Sequence, residues 1–98
     1  MQNLLRQAQK MQDEMLKAEQ SLSEKQVTSS TGGGMVELVM TCDHKLISLK
    51  IKPEAVDPDD VEMLEDTIIA AFNEASNLIE ATRKEVMGPF SAITNGLF

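Results

Sequence analysis

Three consecutive glycines, Gly32 to Gly34, look at first like a loop that holds phosphate. A phosphate-binding loop continues into Lys-Ser or Lys-Thr and opens a helix, because its backbone N–H groups and its lysine must surround the phosphates. Here Met35 follows the glycines, and the residues on both sides alternate as strands do. We therefore interpret the glycines as a hairpin turn and not as a nucleotide site.

Cys42, Asp43 and His44 place a thiol, a carboxylate and an imidazole next to one another. Such groups bind metals or build nucleophiles when their side chains converge, but neighbouring residues in a strand and turn point in divergent directions. The chain contains one cysteine and one histidine, so no second thiol or imidazole completes a site. We interpret all three as ordinary turn residues.

An acidic run, Asp57-Pro58-Asp59-Asp60, contains the carboxylates that calcium prefers. It lacks the glycine and the distal glutamate of an EF-hand loop, and capping of a helix accounts for it. With no catalytic or metal-binding constellation, we expect a protein that is not an enzyme and has no cofactor, metal or small-molecule substrate.

Basic residues form the remaining candidate surface. Arg6, Lys10 and Lys17 fall within roughly 40° of one another at 100° per residue of helix. Such a line is typical of a solvated helix face, and it also suits contact with phosphates. Arg83 and Lys84 form a second basic pair.

The charge is divided unevenly along the chain. Residues 1–52 carry seven basic and six acidic side chains, whereas residues 53–98 carry two basic and ten acidic ones. These balances, +1 and −8, give the net charge of −7. We therefore expect an anionic partner to meet the first half of the chain.

A helix is predicted within residues 1–25, where apolar residues repeat in steps of four and three. The stripe consists of Leu4, Ala8, Met11, Met15, Ala18 and Leu22. It can pack on the chain's own sheet and second helix or on a partner chain, and the sequence does not choose between them.

Residues 26–52 change to a period of two and predict three antiparallel strands. In the second strand Val36, Leu38 and Met40 share one face. In the third strand Ile47, Leu49 and Ile51 do so. The polar first strand is expected at an edge that a second chain can use.

Residues 57–87 predict the second long helix. Asp57 is the expected N-cap, and Gly88 with Pro89 is expected to end the helix before a flexible tail at residues 88–98. Phe72 lies on the apolar stripe of this helix, so we expect it to be the largest buried side chain of the core.

These elements predict one α+β domain over residues 1–98, with a three-stranded antiparallel meander between two long helices. The sheet is short, and the apolar stripes exceed what it can cover, so a homodimer is expected. One cysteine and the lack of a long apolar run favour a cytoplasmic protein that does not enter the membrane.

Separated motifs resemble the YbaB/EbfC nucleoid-associated proteins over nearly the whole chain. Near the N-terminus these are Asn3-Leu4, Gln7-Ala8-Gln9, Met11-Gln12, Met15 and Lys17-Ala18. Further along they are Gly32-Gly33-Gly34 with Val36, Leu38 and Met40, and then Leu64-Glu65-Asp66, Ile68 and Ala70-Ala71-Phe72-Asn73-Glu74-Ala75.

The resemblance implies a bacterial homodimer with joined sheets and projecting helices. It also implies binding to double-stranded DNA in the nucleoid, an influence on nucleoid organisation and gene expression, and no catalysis. The candidate DNA-contacting residues are then Arg6, Lys10, Lys17, Arg83 and Lys84. The alternative is a dimeric chaperone or adaptor module that binds another protein and does not bind DNA.

Overall fold

A computed structural model describes the backbone of residues 2–97 and the side chains of residues 2–88. Its elements, in chain order, are α1 (Gln2–Glu24), β1 (Gln26–Thr31), β2 (Val36–Thr41), β3 (Leu46–Ile51), a 3₁₀ turn (Pro53–Ala55) and α2 (Val61–Leu97). The predicted α+β class and the order of helix, three strands and helix are confirmed.

The three strands form one antiparallel sheet in the order β1-β2-β3. β1 pairs with β2 from Gln26 opposite Thr41 to Thr31 opposite Val36, without interruption. The turn between them places Gly32, Gly33 and Gly34 at φ of 64°, 68° and 89°. Only glycine adopts these conformations without strain. The three glycines therefore form the hairpin turn that the sequence predicts.

β2 and β3 are paired with one irregularity. Val39 lies opposite Ser48, but Met40 lies opposite Leu46, so β3 contains one extra residue, Ile47. A bulge of this kind reverses the alternation of faces beyond it. The predicted face of β3 is therefore wrong at its start, where Leu46 and not Ile47 lies opposite core residue Met40.

α2 covers one face of the sheet over β1 and β2. Ser29 of β1 donates a hydrogen bond from its hydroxyl to the carbonyl oxygen of Ala71, at 2.7 Å, and Thr31 donates one to that of Thr67, at 2.9 Å. The core between the elements consists of Leu22, Val36, Leu38, Met40, Cys42, Ala71, Ala75 and Ile79. The predicted inward face of β2 is thereby confirmed.

The prediction that Phe72 anchors the core is wrong, because its side chain is 46% exposed. Ala71 and Ala75 face the sheet instead, and each residue advances the helix by about 100°, which turns Phe72 to the flank. The short alanine side chains let α2 approach until the Ser29 hydroxyl reaches its backbone. A phenylalanine at this contact would hold the helix away from the sheet.

Both predicted ends of the second helix are corrected. Residues 57–60 form a turn, closed by a backbone hydrogen bond from Asp60 to Asp57 at 3.0 Å. The side chain of Asp60 caps α2 by accepting from the N–H of Met63 at 3.2 Å. Asp57, the predicted N-cap, instead accepts from the N–H of Asp59 at 2.9 Å and stabilises this turn before the helix.

At the other end, α2 continues through Gly88 and Pro89 to Leu97. Proline within a helix removes one backbone donor and can kink the helix without ending it, so the predicted stop at Gly88 and Pro89 is wrong. The flexibility predicted for residues 88–98 stays a prediction. Phe98, the last residue of that tail, lies outside the described residues.

α1 packs beside the second half of α2, where both helices extend beyond the sheet. Burial in the stripe increases along α1: Leu4 is exposed, Met11, Met15 and Ala18 are half-buried, and Leu22 is fully buried. The end of the stripe therefore packs within the chain, as one of the two sequence alternatives had it. The molecule is elongated, with extents of 69 × 23 × 16 Å.

Candidate nucleic-acid interface

Arg6, Lys10 and Lys17 lie on one exposed face of α1. α1 contains neither glycine nor proline, so the helix is uninterrupted from Gln2 to Glu24 and holds the three side chains in a constant register. The face is turned away from Met15 and Leu22, which pack inward. From Arg6 to Lys17 it spans about 16 Å at 1.5 Å per residue. This is close to half of a helical turn of duplex DNA.

The same face also carries an acidic side chain. Asp13 follows Lys10 by three residues and precedes Lys17 by four, which are the spacings at which helix side chains become neighbours. Within residues 2–88, however, the one side-chain ion pair of 4 Å or less joins Glu19 to Arg83. The amino groups of Lys10 and Lys17 are therefore open to solvent and to an anionic partner.

Arg83 and Lys84 belong to a separate location. Arg83, on α2, donates from Nη2 to Oε1 of Glu19 on α1 at 3.2 Å. Glu19 lies about 160° around α1 from Lys17, since two residues rotate the helix by about 200°. The structure thus divides the five predicted residues into two groups: Arg6, Lys10 and Lys17 together, and Arg83 with the exposed Lys84 apart from them.

The start of α2 is unsuited to an anionic partner. Asp60, Glu62 and Asp66 line an open groove of about 430 Å³ between α2 and the end of β1, together with Gly32 and Thr67 among others. Three carboxylates on one groove repel phosphate. The acidic groove is therefore the less suitable of these two surfaces for an anionic partner, and the basic face of α1 remains the candidate.

Cys42 and His44, which were considered for a metal or nucleophile site, belong to the core and to a turn. Cys42 is fully buried in the core, and His44 occupies the β2–β3 turn. In the part of the chain that the structure describes, no group of three or more His, Cys, Asp or Glu residues is arranged to hold a metal ion. Within that part, too, none of the helices has the length and apolarity needed to cross a membrane.

Exposed apolar side chains lie on β3 and on one flank of α2, and the sequence predicted such an excess of apolar residues without saying which ones. α2 covers β1 and β2, which leaves Leu46 of β3 51% exposed and Leu49 41% exposed, although both lie opposite core residues of β2. On the helix, Ile69 and Phe72 are 57% and 46% exposed. They lie three residues apart on the flank of α2, with Phe72 roughly 140° from Thr67, which contacts β1. We call Leu46, Leu49, Ile69 and Phe72 the open apolar surface.

One signal for this surface was present in the sequence. β3 alternates apolar and polar residues as a buried strand does, yet one helix is too narrow to cover three strands. The position of the helix above the sheet, which decides the strand left open, depends on the small residues Ala71 and Ala75 and on the Ser29 and Thr31 hydroxyls.

Comparison with known proteins supplies the family. A "Nucleoid-associated protein" of Ruminiclostridium cellulolyticum is 47% identical over 97 residues, which are 99% of this chain and 82% of that protein. Another of that name, from Acetivibrio thermocellus, is 48% identical over 95 residues, covering 97% of this chain and 81% of that one.

The fold also occurs in a crystal structure of an uncharacterized protein from Helicobacter pylori, with a TM-score of 0.77 and 24% identity. The alignment covers 89% of this chain and 91% of that one, so it supports the architecture. Residues 1–94 match the YbaB/EbfC DNA-binding family. This match spans both helices and the sheet between them, and the chain is therefore a member of the YbaB/EbfC DNA-binding family.

Proposed function

We propose that this protein binds double-stranded DNA as a homodimer, in the nucleoid of the bacterial cytoplasm, and influences nucleoid organisation and gene expression. The observation that carries the proposal is the exposed line of Arg6, Lys10 and Lys17, opposite the packed face of α1 and remote from the acidic groove. In this proposal the protein binds DNA without catalysis, cofactor or small-molecule substrate.

Dimer formation is supported by the open apolar surface. Leu49 and Phe72 are large side chains that are 41% and 46% exposed. Burying the exposed part of each is worth about 1 kcal/mol, a little under half of the value for complete burial. A second copy that covers β3 and the flank of α2 would remove both from water. β3 is also an edge strand with unpaired backbone groups, which a second sheet can satisfy.

Binding through phosphates follows from the types of residue available. A dimer has a net charge of −14, twice the −7 of one chain, so the whole molecule repels DNA and only a local basic face can bind it. Arginine and lysine contacts to phosphate position a protein on the duplex without reading its sequence. We therefore expect weak, salt-sensitive binding with little sequence preference.

Salt dependence tests the proposal. Fluorescence anisotropy of a labelled duplex, titrated at several salt concentrations, gives the slope of log K against log salt, which is about −0.9 per neutralised phosphate. Two or three contacts from each of two α1 helices predict a slope between roughly −3.5 and −5.5 by the same relation. Replacing Arg6, Lys10 and Lys17 together by glutamine should flatten this slope. The fold should stay intact, because glutamine has nearly the same helix propensity as lysine and arginine.

A matched control removes the same charge elsewhere. Lys45, Lys50 and Lys52 lie exposed on and around β3, and their joint replacement by glutamine also takes three positive charges from each chain. Because β3 belongs to the proposed dimer contact, light scattering first establishes that this variant is still a dimer. The control variant should keep a slope close to that of the parent. Equal losses in the two triple variants would show that net charge matters and that the α1 face does not. A parent protein that fails to bind duplex DNA even at low salt would instead favour the adaptor module.

A further inference from the structure

Arg83 is the basic residue that forms an ion pair within residues 2–88, and its partner is Glu19. Its guanidinium lies where α1 packs against α2, and among the side chains of residues 2–88 its one hydrogen-bond partner is Glu19, to which Nη2 donates at 3.2 Å. The side chains of Arg83 and Glu19 remain 35% and 48% exposed, so both groups can be reached from solvent. The contact uses one of the three guanidinium nitrogens and leaves the other donors available.

Carboxylate and phosphate compete for such a group. Both present anionic oxygens that accept charge-assisted hydrogen bonds from arginine, and arginine can engage either one through two nitrogens at once. An ion pair between partly exposed side chains contributes little to stability. A phosphate can therefore approach Arg83 without disturbing the fold, but it has to displace the Glu19 carboxylate and then lies beside that negative charge, which repels it.

We infer that Glu19 competes with DNA phosphate for Arg83 and thereby limits the affinity of the protein for DNA. Arg83 and the neighbouring exposed Lys84 then form a second phosphate-binding position, separate from the basic line of α1. In the absence of DNA, the Glu19 carboxylate is paired with the Arg83 guanidinium. The inference rests on the proposed DNA binding and adds to it a residue that sets its strength.

The variant Glu19→Gln tests the inference directly. Glutamine keeps the size and helix propensity of the side chain but removes the charge that attracts Arg83. If Arg83 then binds a phosphate, the slope of log K against log salt should become steeper by about 0.9 per chain, or about 1.8 per dimer. Between two salt concentrations that differ fourfold, the variant should lose about 12-fold more affinity than the parent does.

A charge-matched control separates this effect from general repulsion. Glu74 is an exposed acid on α2, nine residues before Arg83, and Glu74→Gln changes the net charge by the same amount. It should leave the slope unchanged. Arg83→Gln should flatten the slope less in the parent than in Glu19→Gln, because Glu19 already competes for the guanidinium in the parent. In the double variant Glu19→Gln/Arg83→Gln, the gain should disappear.

The outcomes distinguish the inference from the function on which it rests. If the parent binds DNA but Glu19→Gln has the parent's slope, the inference is wrong and the proposed function is not affected. A gain that persists in the double variant would mean that Glu19 acts through repulsion alone and would also overturn it. Melting curves of each variant, with Glu19→Ala as a second removal of the carboxylate, show that changes in binding do not come from loss of the fold.

Discussion

Single residues of α2 show how far one position on a helix can change a side chain's role. Ala71 and Ala75 face the sheet, and Phe72, one position after Ala71, is turned about 100° away from that contact. Ile79 is the large side chain of α2 that is fully buried. The contribution of this helix to the core therefore comes from a close approach of its backbone, from the buried Ile79 and from partly buried apolar side chains such as Leu64 and Ile68.

Ile79→Ala should lower the free energy of unfolding by about 2–5 kcal/mol, since it leaves a cavity beneath α2 that the sheet cannot fill. Met63, which is 66% exposed on the other flank, is the control, and Met63→Ala should stay within about 0.5 kcal/mol of the parent. Urea denaturation followed by circular dichroism measures both. Equal stability of the Ile79 variant and the parent would mean that α2 does not pack in this orientation.

At His44, in contrast, a substitution is expected to stabilise the protein. It occupies the β2–β3 turn at φ of 67°, a left-handed conformation that costs a residue with a Cβ atom roughly 1–2 kcal/mol. His44→Gly should therefore stabilise the protein, by about 0.5–1 kcal/mol after the greater chain entropy of glycine is deducted. His44→Ala retains the Cβ atom and should melt close to the parent. Thermal melts compare the three proteins, and a glycine variant that melts below the alanine variant would contradict this account of the turn.

At the scale of elements, the junction between β1 and α2 determines which part of the sheet is covered. β1 is polar, yet it lies beneath the helix because the Ser29 and Thr31 hydroxyls donate to carbonyl oxygens of α2. These bonds satisfy buried polar groups and also place the helix axis over β1 and β2. β3, although more apolar, is left at the margin as a consequence.

Ser29→Ala should cost about 1 kcal/mol, the net contribution of one buried hydrogen bond. Ser29→Val should cost more, because the close approach of α2 leaves no space for two methyl groups. Ser30, exposed on the outer face of the same strand, provides the control through Ser30→Ala. The measurement is the free energy of unfolding in urea. A valine variant as stable as the parent would show that the helix is not held at this distance.

At the scale of the whole molecule, the open apolar surface predicts the oligomeric state. A chain of 10.8 kDa with Leu46, Leu49, Ile69 and Phe72 partly in water gains by covering them with a second copy. Light scattering should give about twice the chain mass at micromolar concentration. Leu49→Ser and Phe72→Ser should shift the protein towards monomer, because each places a hydroxyl in the apolar contact.

Met63→Ser makes the same kind of change on the opposite flank of α2, where the acidic groove lies, and should leave the mass unchanged. A parent protein that is monomeric and melts cooperatively would remove the basis for two α1 helices acting together on one duplex. If Leu49→Ser and Phe72→Ser keep the mass of a dimer, as the Met63→Ser control should, the contact between copies lies elsewhere.

The sequence by itself determined the elements and the location of the basic face. Periodicity is a local property, so the steps of three and four in residues 4–22 and the alternation in residues 36–40 were sufficient to predict α1 and the inward face of β2. The glycine turn and the line of Arg6, Lys10 and Lys17 were also readable, because a regular helix fixes angles between residues that are near in sequence.

Only the tertiary structure decided how these elements meet. The orientation of α2, which exposes Phe72 and buries Ile79, depends on how closely a helix can approach a particular strand, and the partners Ser29 and Ala71 are 42 residues apart. The pairing of Arg83 with Glu19 joins residues 64 positions apart. The bulge at Ile47 depends on the register between two strands. Each of these features results from contact between distant segments, and no local pattern of residue types encodes which segments will touch.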